Sequence, residues 1–209
     1  MKNFEKIFED LYMIKGHDYC SNIYLLDDGE AKILIDSGNG EVDININVDY
    51  CFLTHGHMDH TSGSIAFNAY LRKEDFLSVF PYFVPKNVKP LETNELKISS
   101  FDLEFIHTPG HTKGSVCVFE RNRKILFTGD TLFSDGWVGR TDLPGGNYKM
   151  LEESIKKLFE KFEKKKFEKN EKNEENGKEK RERKIYFPLD FEFDISVLCP
   201  GHYEVRYFK

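Results

Sequence analysis

Short apolar runs separated by polar turns make up most of the chain, and nearly all of the runs have strand length. Leu11 to Lys15, Ser21 to Leu26 and Ala31 to Asp36 are three of them, the last two joined by Asp27-Asp28-Gly29-Glu30, a hairpin-type turn. Gly40 to Asp49 alternates acidic or amide residues with β-branched ones and reads as an edge strand or extended loop. Tyr50-Cys51-Phe52-Leu53 is another apolar run of strand length. From Thr61 to Leu71 the pattern predicts a helix, with Ile65, Ala66, Ala69 and Tyr70 on its apolar face. Residues 72 to 100 are cut into short extended pieces by Pro81, Pro85 and Pro90, with Phe76, Val79, Phe80, Tyr82 and Phe83 covering the core or lining a cleft.

Order returns with a period-two strand from Phe101 to Ile106, then strands at Gly114 to Glu120 and Lys124 to Thr128. A helix is predicted from Asn147, because Met150, Leu151, Ile155, Leu158, Phe159 and Phe162 fall on one face. It decays into Lys164 to Lys184, which has Phe167 as its one apolar side chain and reads as a solvated helix extension or a disordered insertion. The pattern recovers at Ile185 to Phe187 and at Asp194 to Cys199, the last strand. A single domain over residues 1–209, carrying a charged low-complexity insertion at about 164–184, is the expected organisation.

Composition narrows the class. The 19 Phe among 209 residues suffice for a core. No apolar run approaches the roughly 18 residues a membrane span needs, and acids stand where a signal peptide would be apolar. A soluble, cytoplasmic protein is expected. Cys20, Cys51, Cys117 and Cys199 are far apart and lie in or beside apolar runs, so they read as buried, reduced thiols. The net charge of −6 is uneven: residues 156–184 carry +5 and the rest −11, so general nucleic-acid affinity is not expected of the body.

The densest chemistry lies in Thr54-His55-Gly56-His57-Met58-Asp59-His60. His55 and His57, two apart in extended chain, project to one side and can chelate one ion. Asp59 and His60 continue round the turn and suit a second. Imidazoles and carboxylates without thiolate suit zinc, iron or manganese. Further candidates again stand at strand ends: His111 after Phe101 to Ile106, Asp130 after Lys124 to Thr128, and His202 after Asp194 to Cys199. Asp36 ends a strand too, as a turn cap or as a carboxylate that orients a ligand histidine. His17 and His107 read as surface or strand-packing residues.

The order HxHxDH, then PGHT, then GD, then PGH resembles the metallo-β-lactamase superfamily, from Asn22-Ile-Tyr-Leu through Pro200-Gly201-His202. The resemblance implies an α/β fold, an αββα sandwich with the metal site at one edge of the two sheets. It implies two divalent ions, zinc first, with iron or manganese as alternatives. His55, His57 and His111 would hold the first, Asp59, His60 and His202 the second, and Asp130 would bridge them. Asp36 matches the family's strand-end aspartate near the metals. Thr108-Pro-Gly-His-Thr-Lys-Gly-Ser-Val, Gly129-Asp-Thr-Leu-Phe and Val138-Gly-Arg-Thr-Asp-Leu-Pro-Gly-Gly146 look most like the glyoxalase II-like branch, in which Arg140 matches a basic residue that contacts glutathione. The Gly-Arg-Thr-Asp segment also resembles the persulfide dioxygenases, mononuclear iron enzymes.

Three departures stand out. Asp36 to Thr54 is too short for the helix usually found there, the charged run is extra, and the chain stops seven residues after His202, where full glyoxalase II enzymes have a helical region that helps hold glutathione. The expected activity is thioester hydrolysis by a metal-bridged hydroxide, with Asp59 and Asp130 in the catalytic centre and Arg140 on a substrate carboxylate. No GxSxG elbow offers a protein nucleophile. Persulfide dioxygenation is the alternative. A nuclease shares the HxHxDH core, but the acidic body and the Gly-Arg-Thr-Asp segment argue against it. A small-molecule thioester, and neither a membrane nor nucleic acid, is the expected partner.

Overall fold

The computed structural model describes residues 3–163 and 192–208, so the charged run at 164–184 and the extended segment Ile185 to Phe187 lie outside the described residues. Two sheets face each other. The first contains β1 (Glu5–Phe8), β2 (Leu11–Ile14), β3 (Ile23–Asp27), β4 (Lys32–Ile35), β5 (Tyr50–Phe52), β6 (Ala69–Leu71) and β7 (Lys89–Pro90) side by side in that order. Its first four strands are antiparallel neighbours, and from β4 onward the pairing is parallel. The second sheet contains β8 (Glu95–Ile98), β9 (Phe101–His107), β10 (Val116–Glu120), β11 (Ile125–Gly129), β12 (Val197–Pro200) and β13 (Arg206–Tyr207), again in sequential order, with only β11 and β12 parallel.

Strand alternation divides the apolar residues between two faces of each sheet. Leu11, Tyr24, Leu26, Ile33, Ile35 and Phe52 from the first sheet meet Phe101, Leu103, Phe105, Val118, Ile125, Phe127 and Val197 from the second. The outer face of the second sheet, with Cys117, Leu126 and Leu198, is covered by Leu158 and Phe162 of the long helix at Tyr148–Phe162 and by Phe193 and Ile195. On the outer face of the first sheet, Ile23, Leu25, Leu34 and Cys51 lie under Val42, Ile44, Ile46 and Val48. An extended loop therefore stands, among the described residues, where a second helical layer was expected to be thin. All four cysteines are buried and free, as expected. No helix of the described residues is long and apolar enough to cross a membrane.

One expected helix is not there. From Thr61 to Leu71 the chain makes a single helical turn, α1 (Met58–Thr61), a 3-10 segment at Ser62–Ala66, and then β6. Ile65 and Ala66, assigned to an apolar helix face, are exposed, whereas Ala69 is buried against β5. Gly63 is the reason the turn tightens. Its N–H donates to Gly38 O (3.2 Å), and a side chain there would run into the Ser37 carbonyl, so close backbone approach replaces a continued helix. β1 and β8 carried too few apolar residues to be read as strands.

The helix that was expected, α2 (Tyr148–Phe162), starts where Asn147 accepts the Met150 N–H on its side chain (3.0 Å). Leu151, Ile155, Leu158 and Phe162 are buried, but Met150, placed on the same face by its spacing, is 38% exposed in the first turn. Burying such side chains contributes about 1.5–3 kcal/mol each. Leu158→Ala is expected to destabilise the protein by about 2–5 kcal/mol and Asn147→Ala by about 1 kcal/mol, read as a shift in urea midpoint at constant slope.

Candidate metal centre

The parallel pairing of β4 with β5 brings Asp36 beside the Thr54-His55-Gly56-His57 loop, and the parallel pairing of β11 with β12 sets Asp130 beside His202. The β9–β10 connection supplies His111. All seven candidate ligands thus gather at one edge of the two sheets, in overlapping groups whose donor atoms lie within 4.8 Å of one another: His55/His57/His111, His55/His60/Asp130 and Asp59/His60/His202.

In the first group, His55 Nε2, His57 Nδ1 and His111 Nε2 form a triangle with edges of 3.1, 3.2 and 3.0 Å. Nitrogens about 2.0–2.1 Å from a tetrahedral zinc stand about 3.3 Å apart, close to these edges. In the second, Asp59 Oδ2 lies 3.6 Å from His60 Nε2 and 3.2 Å from His202 Nε2. Asp130 spans the two. Its Oδ2 is 3.5 Å from His111 Nε2, while its Oδ1 is 3.4 Å from His60 Nε2 and 3.7 Å from His202 Nε2.

The surrounding acceptors fix which imidazole nitrogen is free. His111 Nδ1 must donate to Arg140 O (2.7 Å), since a carbonyl only accepts, and this leaves Nε2 with its lone pair. His60 Nδ1 donates to Asp36 Oδ2 (2.8 Å). Thr54 Oγ1 donates to the same oxygen (2.8 Å) and so accepts from His55 Nδ1 (3.1 Å). Asp36 Oδ1 takes the Thr54 N–H (2.8 Å). Asp36 therefore orients one candidate ligand directly and another through Thr54. Inside, His60 Nε2 and Asp130 Oδ1 are buried without a hydrogen-bond partner, as is His57 Nε2, the ring nitrogen outside the first triangle. A buried unsatisfied polar atom costs about 1–3 kcal/mol, and a cation between His60 Nε2 and Asp130 Oδ1 would satisfy both, so the residues fit a metal site.

Without an ion the groups shift in opposite directions. Burial, with the neighbouring imidazoles, pushes His55 well below the ordinary histidine value and His57 down to about 3, so both are neutral donors at pH 7. Burial also disfavours a charged His60, but the Asp36, Asp59 and Asp130 carboxylates outweigh it and raise His60 well above 6.5. Burial would raise Asp130 and Asp59; the imidazoles beside them, His60 foremost, hold both below the usual carboxylate range.

Arg140 meets the centre through its main chain. Its guanidinium is exposed and forked onto Asp142 (2.7 and 2.6 Å), and it is the Arg140 carbonyl that touches the centre. His107 contacts Lys113 O, away from the ligands. A cavity of about 380 Å³ lined by Lys15, His17, Asp18, Tyr203 and Glu204 opens beside His202.

Three residues support the centre without having been singled out for it, Tyr82 having been read only as covering the core or lining a cleft. Asn22 Nδ2 donates to Pro200 O (3.1 Å) and Tyr203 O (2.9 Å), bracing the His202 loop. Tyr82 packs edge-on to His57 and donates to Pro144 O (2.8 Å). Asp75, wholly buried, accepts from both ligand loops. Asp75 and Tyr82 lie in the proline-broken stretch, where no periodicity marks them, and Asn22 looks like any polar residue before a strand.

A two-sheet sandwich with histidines and aspartates gathered at one edge defines a class of metal-binding α/β protein. The chain belongs to the metallo-beta-lactamase superfamily, whose family profile matches residues 20–172. A probable metallo-hydrolase of Methanocaldococcus jannaschii is 35% identical over 178 residues, covering 69% of this chain and 82% of that one. The hydroxyacylglutathione hydrolase GloC of Haemophilus influenzae is 32% identical over 166 residues, covering 66% and 76%. Among solved structures, the BLEG-1 B3 metallo-beta-lactamase superposes with a TM-score of 0.65 at 23% identity, over 94% of this chain and 93% of that one, a likeness of fold.

The titrations give a sign for the metal-free protein. With His57 near 3 when folded and 6.5 when unfolded, the unfolded state takes up the proton first, so stability is lost as pH falls between those values. Asp59 and Asp130, depressed when folded, act in the same direction below about pH 4. His60, raised, contributes fully below 6.5 and loses its contribution only as pH climbs above. In excess chelator the thermal midpoint is expected to be lower at about pH 4 than at about pH 6.5. An equal or higher midpoint in acid would contradict the burial of neutral His55 and His57.

Proposed function

We propose that the protein is a dinuclear metal-dependent thioester hydrolase of hydroxyacylglutathione hydrolase type. The single observation that carries the reading is Asp130, with one carboxylate oxygen toward each of two donor groups. His55, His57 and His111 would hold one ion, Asp59, His60 and His202 the other, and Asp130 would bridge. The donor chemistry suits zinc, iron or manganese. Similarity to the GloC enzyme supports the reaction class.

Two ions so held would supply hydroxide at neutral pH and Lewis-acid polarisation of a thioester carbonyl. The chain's part is geometric. Asp36, Thr54 and the Arg140 carbonyl keep His60, His55 and His111 in the tautomer that leaves Nε2 free. Asp59 Oδ2 lies 3.2 Å from Nε2 of His202, which lines the cavity, and could accept a hydrogen bond from the attacking group. A thiolate leaves without strong acid assistance because thiol pKa values lie near about 8.5.

Elemental analysis of purified protein, paired with a thioester and persulfide panel, tests this directly. Close to two ions per chain are expected, and Asp130→Ala should lose metal and turnover together. Full metal content with normal turnover in that variant would end the dinuclear reading. An iron-loaded sample that consumes oxygen with a persulfide and cleaves no thioester would replace hydrolysis with dioxygenation.

Arg140 is the proposed contact for a carboxylate on the thiol half. A charge-assisted bond contributes about 1.5–3 kcal/mol, and because Asp142 competes for the guanidinium, the lower part of that range applies. Arg140→Ala is expected to lower kcat/KM about tenfold on a carboxylate-bearing thioester while sparing a small neutral one. Equal losses on both would place Arg140 in the fold rather than in recognition.

A further inference from the structure

The centre's least explained buried acid is Asp75. It ends the 3-10 turn at Lys73–Asp75 and is fully buried, and burial raises its carboxyl above the ordinary value against the hydrogen bonds it accepts. Its compensation comes from two loops. Oδ2 accepts the Gly56 N–H (2.9 Å) and the Thr112 hydroxyl (2.6 Å), and Oδ1 accepts the Gly114 N–H (2.6 Å). Gly56 lies between His55 and His57, and Thr112 follows His111. One carboxylate thus spans the loops that carry all three imidazoles of the first triangle. At the base of these loops, the Val116 N–H already donates to Thr54 O (2.9 Å); Asp75 fixes them at the level of the imidazoles.

The glycines fit this role. A Cβ on Gly56 would come within 3.0 Å of Asp75 Cβ, and one on Gly114 within 2.7 Å of its carboxyl carbon, so any larger residue would push the carboxylate off its donors. A buried carboxylate is an expensive way to hold two loops together, since apolar packing can join loops without the desolvation cost. What it adds is a rigid three-point acceptor one layer outside the imidazoles, which holds their loops at a fixed separation.

We propose that Asp75 is a positioning residue, fixing the loops of His55, His57 and His111 at the separation that one metal ion requires. This rests on the two-ion reading above. The test uses cobalt(II) as the probe, titrated into metal-stripped full-length protein and followed by its tetrahedral absorption band. The variants are Asp75→Asn, Asp75→Ala and Thr112→Val, with Val197→Ala, a buried strand residue of the inter-sheet core, as the stability control. Asp75→Asn and Asp75→Ala are expected to weaken the cobalt site about ten- to a hundred-fold and Thr112→Val by less. Val197→Ala should lower the thermal midpoint and leave cobalt affinity unchanged. Unchanged affinity in the Asp75 variants, or a loss that Val197→Ala reproduces at equal destabilisation, overturns the proposal. Should Asp75→Ala fail to fold, the near-isosteric Asp75→Asn and Thr112→Val decide the question by the same criterion. A wild-type protein that takes up no cobalt would instead sink the two-ion reading itself, a result distinct from a failure of Asp75 alone.

Discussion

Asp36 accepts three hydrogen bonds, and the candidate centre takes its shape from them. Its φ of +60° lies in the left-handed region, which aspartate tolerates better than most residues, and it breaks the chain out of β4 at the level of the ligand loop. The Thr54 amide on Oδ1 locks the end of β4 to the end of β5; the Thr54 hydroxyl and His60 Nδ1 share Oδ2. One carboxylate thereby fixes the backbone from which His55 and His57 project and the ring orientation of His60. It belongs to both halves of the site, because His55 lies in the first donor group and His60 in the second. Charge-assisted bonds of this kind are roughly twice as strong as neutral ones.

The same site holds a conflict that the protein alone does not resolve. Five imidazoles and two carboxylates converge in a largely buried site, so His55 and His57 are driven neutral while His60 is driven positive. A single imidazolium can answer some of the negative charge of Asp36, Asp59 and Asp130, yet His60 Nε2 and Asp130 Oδ1 stay 3.4 Å apart and unbonded. Divalent cations at the two donor groups would remove the conflict in one step, replacing lone-pair repulsion within the imidazole triangle by coordination. The rigid scaffold matters here. Strand ends cannot drift apart to relieve the strain, because the sheets behind them are packed on both faces.

Periodicity exposed most of the strands and the position of α2, since these elements bury alternating or 3.6-spaced faces. It failed at Thr61 to Leu71, where Ile65, Ala66, Ala69 and Tyr70 mimic a helical stripe while Gly63 and the parallel pairing of Ala69 with Cys51 impose a tight turn and a strand. The eight residues singled out around the metals stood at strand ends in the sequence, and the structure brings all eight together. Asp75, Tyr82 and Asn22 were illegible for a different reason. Their importance lies in backbone groups they reach across 19 to 181 positions, and no local pattern encodes a partner that distant. Thr54 was visible as the first letter of a motif, but its bond to Asp36 was not.

Arg140 divides its side chain and its main chain between two settings. The Gly-Arg-Thr-Asp segment suggested a side chain aimed at substrate; the structure gives the side chain to Asp142 and the main-chain carbonyl to His111. A carbonyl is present whatever residue stands there, so the tautomer of His111 depends on the path of the loop and not on the guanidinium. That path is held elsewhere: the Gly139 N–H donates to Asp130 O (2.9 Å), and Tyr82 donates to Pro144 O beyond the segment. In the proposed reading, orientation of the ligand and recognition of an anionic substrate would be carried by separable atoms of one residue. Loss of the side chain would remove an exposed cation while leaving the geometry of the centre to the backbone, so under the proposed reading its effect would report on substrate charge and not on metal binding.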